Sequence, residues 1–427
     1  MAASIPAGFH ALPLPIIQLS LAAVLKCGQS FRWSVLELPS DSAAPACHLP
    51  HEYRLCLKDR VVCLRQSTEH LFYRSVFPQA TPTDTASKLK DAETLLWLRD
   101  YFQLDVDLVK LYREWAERDP VFLKLQDRFS GIRMLRQDPW ENLVSFICSS
   151  NNNISRITKM VQSLCKEYSP PLLSLPNTLG ELETYHPFPP PSVLAAPEVA
   201  MRLRALGFGY RADFIQKTAK MLVDAHGEDP AAADRWLGEL RTRPTNEARE
   251  EVLKFMGVGR KVADCVLLMS LDKREVIPVD THVHQIAAKH YGLRVGGKST
   301  NGKVPMTPKI YDEVNTKLAG IWGEYAGWAH SVLFTSDLRA FATYGLETPT
   351  PTKGKALLDD PLPTPPITPS PAPTGKKAKR KAADEVPAPS DYFSVKTEET
   401  SAFLAEDSSL SLAERIKTRK RKRVERA

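Results

Sequence analysis

The sequence predicts an α+β protein: a small antiparallel β-rich N-terminal lobe, a mainly α-helical body and a disordered C-terminal tail. Three observations predict it. Near the start the apolar period is two, with Tyr53–Leu57 alternating, Val61–Arg65 following the Asp59-Arg60 turn, and Leu71–Phe77 rich in aromatic residues. From about Glu93 the period becomes 3.6. At Thr348 the composition breaks, and eleven of the 34 prolines fall between Pro349 and Pro389. Such a segment buries too little apolar surface to offset its ordering entropy. The expected divisions are residues 1–92, 93–347 and 348–427.

Composition excludes several classes. With 427 residues and 43% hydrophobic content, a sizeable core is available. No run of about 18 uncharged apolar residues exists to span a membrane. The N-terminal stretch through Lys26 has no basic segment ahead of its apolar residues and no Arg-rich pattern, so it reads as structure and not as a targeting peptide. The seven cysteines are scattered, without a CxxC, which points to reduced thiols and away from an iron–sulfur cluster. Cys47, Cys56, Cys63, His48, His51 and His70 lie close in sequence, but their spacing fits no zinc module. No metal is expected.

The net charge of +7 is uneven: residues 353–427 hold 16 of the 57 Lys+Arg and 11 of the 50 Asp+Glu. The body is nearly neutral, so a nucleic-acid face there must be a local patch. The clusters Lys376–Lys381 and Arg415–Arg423 resemble nuclear import signals, which makes an import receptor an expected partner and the nucleus the expected location.

In chain order, residues 38–50 read as a hairpin loop of unusual length. Helices are expected over Glu93–Phe102, Asp107–Arg118 and Val121–Phe129. Asp138-Pro139-Trp140-Glu141 is a strong helix start, with cap, proline and acid in the favoured places. That helix runs into Ser149-Ser150-Asn151-Asn152-Asn153, whose amides read first as a polar loop or cap. Further helices are expected over Arg156–Tyr168, Glu198–Leu206, Ala212–His226, Glu247–Met256, Val262–Ser270, His282–His290, Tyr311–Leu318 and Gly327–Arg339. The proline-rich stretch from His186 to Pro197 reads as irregular.

Lys254–Ser270 carries the chemistry. Gly257 and Gly259 let backbone amides approach an anion closely, and the helix that follows adds a favourable dipole, an arrangement suited to a DNA phosphate. Arg260 could add a salt contact. Lys261 lies in the first turn, where the dipole disfavours a cation. With burial, that would release a free amine for nucleophilic attack; the alternative is a surface lysine bonding phosphate. Cys265 shares its face. Asp280, after Val276-Ile277-Pro278-Val279, stands before a helix as a cap, a role compatible with catalysis. His282 could donate to a phosphate. His330 and Phe334 share a helical stripe that could hold a flat base, or simply pack as core.

Taken together, GQSFRW (Gly28–Trp33), SFICSSNNNISRI (Ser145–Ile157), LGFGYRA (Leu206–Ala212), GVGRKVADC (Gly257–Cys265), PVDTH (Pro278–His282) and AGWA…LF (Ala326–Phe334) closely resemble eukaryotic 8-oxoguanine DNA glycosylase/AP lyase, over roughly residues 5–345. The resemblance implies a TBP-like β lobe and a helix-hairpin-helix body with its hairpin at 247–270. It implies removal of 8-oxoguanine opposite cytosine. Lys261 would attack the sugar C1′ and form a Schiff base that permits β-elimination, while Asp280 stabilises the developing charge. Gly28 would accept the N7–H of the lesion through its carbonyl, and Cys265 and Phe334 would sandwich the base. Asn151 would fill its vacated place, Arg156 and Arg211 would read the cytosine, Tyr210 would wedge the stack, and His282 would hold a phosphate. His330 departs from the pattern, where Gln contacts the Watson–Crick edge. No cofactor is implied, although a monovalent cation on the hairpin carbonyls is compatible. The expected partner is double-stranded DNA with oxidised guanine, bound by a monomer.

Overall fold

The computed structural model describes residues 5–38, 49–79, 84–227, 229–293 and 306–346. The interior of the long loop, the tail with its two basic clusters, and Cys47 lie outside the described residues. The N-terminal part holds β1 (His10–Pro13), α1 (Leu21–Val24), β2 (Ser34–Glu37), β3 (His51–Cys56), β4 (Val61–Gln66), β5 (His70–Val76) and α2 (Asp84–Tyr101). Its strands form one antiparallel sheet in the order β1-β5-β4-β3-β2, with Tyr53 opposite Leu64 and Leu64 opposite Tyr73.

Strand alternation divides the sheet into two buried faces. Tyr53, Leu55, Val62, Leu64 and Tyr73 pack with Leu98, Tyr101 and Phe102 of α2 and the residue after it. Cys56, Val61, Cys63 and Phe72 pack with Phe9 and Tyr185 on the opposite side. That second face also buries Glu52, whose carboxylate accepts from Arg54 Nε and Arg65 Nε, each at 2.7 Å. Burial pushes its carboxyl up, but the two guanidinium groups prevail and hold it below the usual range.

The body continues with α3 (Leu108–Arg118), α4 (Pro120–Leu125), α5 (Pro139–Cys148), α6 (Ile154–Tyr168), β6 (Leu173–Pro176), β7 (Leu182–Tyr185), α7 (Pro191–Leu194), α8 (Val199–Ala205), α9 (Arg211–His226), α10 (Pro230–Glu239), α11 (Thr245–Val252), α12 (Arg260–Ser270), α13 (Thr281–Tyr291), α14 (Pro308–Trp322) and α15 (Ala326–Asp337). α4, α5, α10 and α14 start alike: Asp119, Asp138, Asp229 or Thr307 caps the helix, and proline follows where a missing N–H costs nothing. Asp119 does more than cap. Its second oxygen accepts from Trp322 Nε1 at 3.0 Å and Tyr291 Oη at 2.7 Å, tying α4 to α13 and α14.

Several elements depart from expectation. α2 begins at Asp84, because the polar stretch DTASKLKDA continues the helix through propensity without an apolar stripe. The expected division at residue 92 therefore falls inside a helix. The β6–β7 hairpin and α10 were not anticipated: the strands are only four residues long, and the alanines of α10 give no clear periodicity. Proline-rich 186–197 is not wholly irregular, since Pro191 starts the single turn of α7.

Candidate active site

The hairpin between α11 and α12 is built on two glycines with different duties. Gly257 has φ +77°, and a Cβ there would stand 2.3 Å from the Phe214 ring, so the turn presses directly on α9. Gly259 precedes α12 with φ −94° and open space in front of it. No side chain caps α12 among the described residues, so its first-turn amides are left for another acceptor.

Lys261 is the second residue of α12. Its Nζ donates to Ser149 Oγ at 3.3 Å and stands 5.2 Å from the centre of the Phe146 ring. Asp280 caps α13, accepting from His282 N at 3.0 Å and Val283 N at 2.9 Å, both through Oδ1. Capping thus occupies one carboxylate oxygen, and Oδ2 accepts no hydrogen bond among the described residues. Lys261, Asp280, Asn151 and Gly259 line one open cleft of about 650 Å³, together with Ser149 and Tyr311.

Arg260 lines it too; the other expected residues do not. Cys265, 2% exposed, lies one turn after Lys261. Burial pushes its thiol up to about 11, the Lys261 charge counters, and Asp280 and Asp264 add to the rise. His330 is 7% exposed, and among the described residues neither ring nitrogen has a hydrogen-bond partner of good geometry. Burial pulls its pKa down to about 4 against the opposing Asp280 carboxylate, so the ring is neutral at pH 7. Phe334 is half-buried, its ring centre 6.0 Å from that of His330 and 5.2 Å from that of His282. His282, expected to hold a phosphate, has its Nε2 3.1 Å from Asp337 Oδ2, so one of its ring nitrogens faces a carboxylate here. Gly28 has φ +89° and packs against Ile154 of α6, and its carbonyl accepts no hydrogen bond among the described residues.

The three asparagines separate by role. Asn152 Nδ2 donates to the Cys148 carbonyl at 2.9 Å, closing α5, and Asn153 caps α6 by accepting from Arg156 N at 3.0 Å. Asn151 is left-handed at φ +48°, exposed, and without a side-chain hydrogen bond among the described residues. Tyr210 is exposed, and its Oη donates to the Ser150 carbonyl at 3.1 Å. Arg156 Nη2 donates to the Gly207 carbonyl at 3.2 Å. Arg211 is buried against main-chain carbonyls and not presented to solvent.

The sequence reading missed Ser149, Asp264, Tyr311 and Arg249. A signal existed for Asp264: a carboxylate inside the apolar run of α12 must find partners. Arg260, expected on a phosphate, is instead paired through Nη1 with Asp312 at 2.6 Å. Among the described residues no group of three or more His, Cys, Asp or Glu is placed to hold a metal ion, and no helix is long and apolar enough to cross a membrane.

The similarities of the chain agree with this geometry. Residues 144–303 match the family described as HhH-GPD superfamily base excision DNA repair protein, which defines the class of the fold and of its hairpin site. Residues 11–143 match 8-oxoguanine DNA glycosylase, N-terminal domain. The chain is 37% identical to the N-glycosylase/DNA lyase of Saccharomyces cerevisiae over 344 residues, covering 77% of this chain and 86% of the yeast protein. It is 34% identical to N-glycosylase/DNA lyase OGG1 of Arabidopsis thaliana, covering 78% and 81%. The chain therefore belongs to the 8-oxoguanine DNA glycosylase family of bifunctional N-glycosylase/DNA lyases. Among solved structures, MBOgg1 in complex with a low-affinity DNA ligand superimposes with a TM-score of 0.59 at 25% identity, covering 78% of this chain and 96% of that one. The 8-oxoguanine glycosylase/lyase of Clostridium acetobutylicum, in complex with double-stranded DNA containing cytosine opposite 8-oxoG, gives 0.57 at 25% identity, covering 78% and 97%.

Proposed function

We propose that this glycosylase/lyase removes 8-oxoguanine paired with cytosine from duplex DNA. The observation that carries the reading is the shared cleft wall of Lys261, Asp280 and Asn151. Lys261 Nζ, as the free amine, attacks C1′ of the extruded nucleotide, and the base leaves with the glycosidic electron pair. The adduct gives a proton to the departing base, and its nitrogen lone pair then opens the C1′–O4′ bond, O4′ taking up a proton, to leave a protonated Schiff base; this acidifies the C2′ proton, whose loss expels the 3′ phosphate. Asp280 Oδ2 stabilises the positive charge that develops on the sugar. The Gly28 carbonyl accepts the N7–H that distinguishes the lesion from guanine, and Cys265 and Phe334 hold its faces. Asn151 fills the vacated place, with Tyr210, Arg156 and Arg211 at the orphaned cytosine. Amides after Gly257 and Gly259, with His282, take phosphates. The Clostridium complex with cytosine opposite 8-oxoG supports the opposite-base preference. The basic clusters at 376–381 and 415–423 support a nuclear location through an import receptor.

Borohydride trapping on a duplex with one 8-oxoguanine opposite cytosine tests the reading, with wild type beside Lys261→Gln and with adenine as a second opposite base. A covalent adduct from wild type alone, formed faster opposite cytosine, is the expected result. Trapping by Lys261→Gln at the wild-type rate would overturn the nucleophile. A second reading, another preferred oxidised purine, is favoured only by His330, whose ring nitrogens have no hydrogen-bond partner of good geometry among the described residues; faster release of a ring-opened purine than of 8-oxoguanine would decide for it.

A further inference from the structure

Asp264 is fully buried on α12, one turn after Lys261. Both its oxygens are occupied: Oδ1 accepts from Arg249 Nε at 2.7 Å and Oδ2 from Tyr311 Oη at 2.6 Å. The same Tyr311 oxygen accepts from Val279 N at 3.1 Å. Val279 is the residue before Asp280. One turn along α14, Asn315 Nδ2 donates to the Ile277 carbonyl at 2.8 Å. The segment entering Asp280 is neither helix nor strand, so it has no ladder of its own to fix it. Its main chain is instead held from α14 at two points. The Tyr311 ring is held in turn, with the Arg260 guanidinium 4.3 Å from its centre and Arg260 paired to Asp312 of the same helix.

We propose that Tyr311, seconded by Asn315, is a positioning residue that sets Asp280 relative to Lys261. Lys261 and Asp280 come from different helices, α12 and α13. The chain Asp264–Tyr311–Val279 is a direct polar link from α12 to the segment that enters α13, and Tyr311 itself forms part of the cleft wall. The phenol donates one hydrogen bond and accepts another, so phenylalanine keeps the ring and breaks both.

The inference rests on the glycosylase/lyase reading, and a double-mutant cycle in the full chain separates the two. Single-turnover cleavage of an 8-oxoguanine:cytosine duplex is measured for wild type, Tyr311→Phe, Asp280→Asn and the double variant. Affinity for a duplex carrying a tetrahydrofuran abasic analogue is measured beside it. Tyr311→Phe is expected to slow wild type about tenfold, as misplacement of a reacting group does. Its Kd should stay within about twofold, and in the Asp280→Asn background the same change should cost less than about twofold, because the two act as a unit. An equal loss in both backgrounds, a Kd change that accounts for the rate, or an unchanged rate would overturn the inference alone. Inactive wild type would overturn the parent reading and this one with it. A thermal melt comes first; if Tyr311→Phe does not fold, Asn315→Ala, which leaves Asp264 paired, is put through the same cycle with the same criteria.

Discussion

Arg211 Nη2 donates to the Asn151 carbonyl at 3.0 Å, from the first residue of α9 to the loop after α5. The same guanidinium donates through Nε to the Ser150 carbonyl at 3.1 Å and through Nη1 to the Phe208 carbonyl at 3.4 Å, and the residue is 3% exposed. Asn151 meanwhile sits in the left-handed region, which asparagine tolerates better than most residues. Arg211 therefore fixes the loop that presents Asn151. Four of its five N–H donors are committed to these main-chain carbonyls, which leaves one on Nη1 for an orphaned cytosine.

Arg211→Ala should accordingly cost stability as well as affinity. It removes the guanidinium donors that hold the Ser150 and Asn151 carbonyls, while Tyr210 Oη still serves Ser150 and the main-chain amide of residue 211 still serves Phe208, so a loss of about 1–3 kcal/mol in all is expected. Arg211→Lys should restore neither property, because an ammonium cannot reproduce the planar fork. Urea unfolding and fluorescence anisotropy with a lesion duplex check this. An Arg211→Ala protein as stable as wild type would show that the loop does not depend on the guanidinium.

The two hairpin glycines should separate stability from binding. Gly257→Ala forces a methyl against Phe214 and a left-handed backbone, so a loss of about 2–4 kcal/mol is expected. Gly259→Ala meets nothing at an ordinary φ, so stability should change by about 0.5 kcal/mol or less. Its methyl would nonetheless stand before the amides of α12, and affinity for duplex should fall. If Gly259→Ala binds duplex as wild type does, no phosphate approaches that turn.

What the sequence made legible follows from how local each signal is. β3, β4 and β5 were readable because alternation is a nearest-neighbour pattern, and α5 because Asp138, Pro139 and Glu141 announce its start within four residues. The placement of Lys261 and Asp280 was readable for the same reason: each stands at a punctuated helix start. Partners were not. Tyr311 meets Asp264 across 47 positions, and Arg211 meets Ser150 across 61. Sequence shows that a buried Asp264 needs a donor and that an arginine near a helix start has donors to spend, but the packing of α9, α11 and α14 decides where they go. Arg260 illustrates the cost: beside the glycine turn of the hairpin it reads as a phosphate ligand, yet Asp312 of α14 claims it.

Cys265 should behave as a buried thiol and not as a reactive one. With its pKa near 11 and 2% exposure, the thiolate population at pH 7.5 is of the order of one in a thousand or less. Iodoacetamide should leave Cys265 unmodified in the native protein and alkylate it after unfolding, as read by peptide mass spectrometry. Lys261→Gln removes the charge that favours the thiolate and should not increase labelling. Rapid native labelling at pH 7.5 would mean that the face shared with Lys261 opens to solvent.

His330 should give the protein an acid-sensitive term in its stability. An ordinary histidine titrates near 6.5, whereas burial holds this one near 4, so between those values the unfolded chain binds a proton that the folded chain refuses. Stability is therefore complete above pH 6.5 and declines as pH falls toward 4, at up to about 1.4 kcal/mol per unit. His330→Gln removes the titrating group while keeping a polar side chain of similar reach. Between pH 7 and pH 4.5 wild type should lose about 2–3 kcal/mol more than His330→Gln, other carboxylates contributing equally to both. Urea midpoints at matched ionic strength measure the difference. Parallel profiles would show that the ring takes its proton near the ordinary pH, and with that a charged, solvated imidazole in place of the neutral buried one beside Asp280.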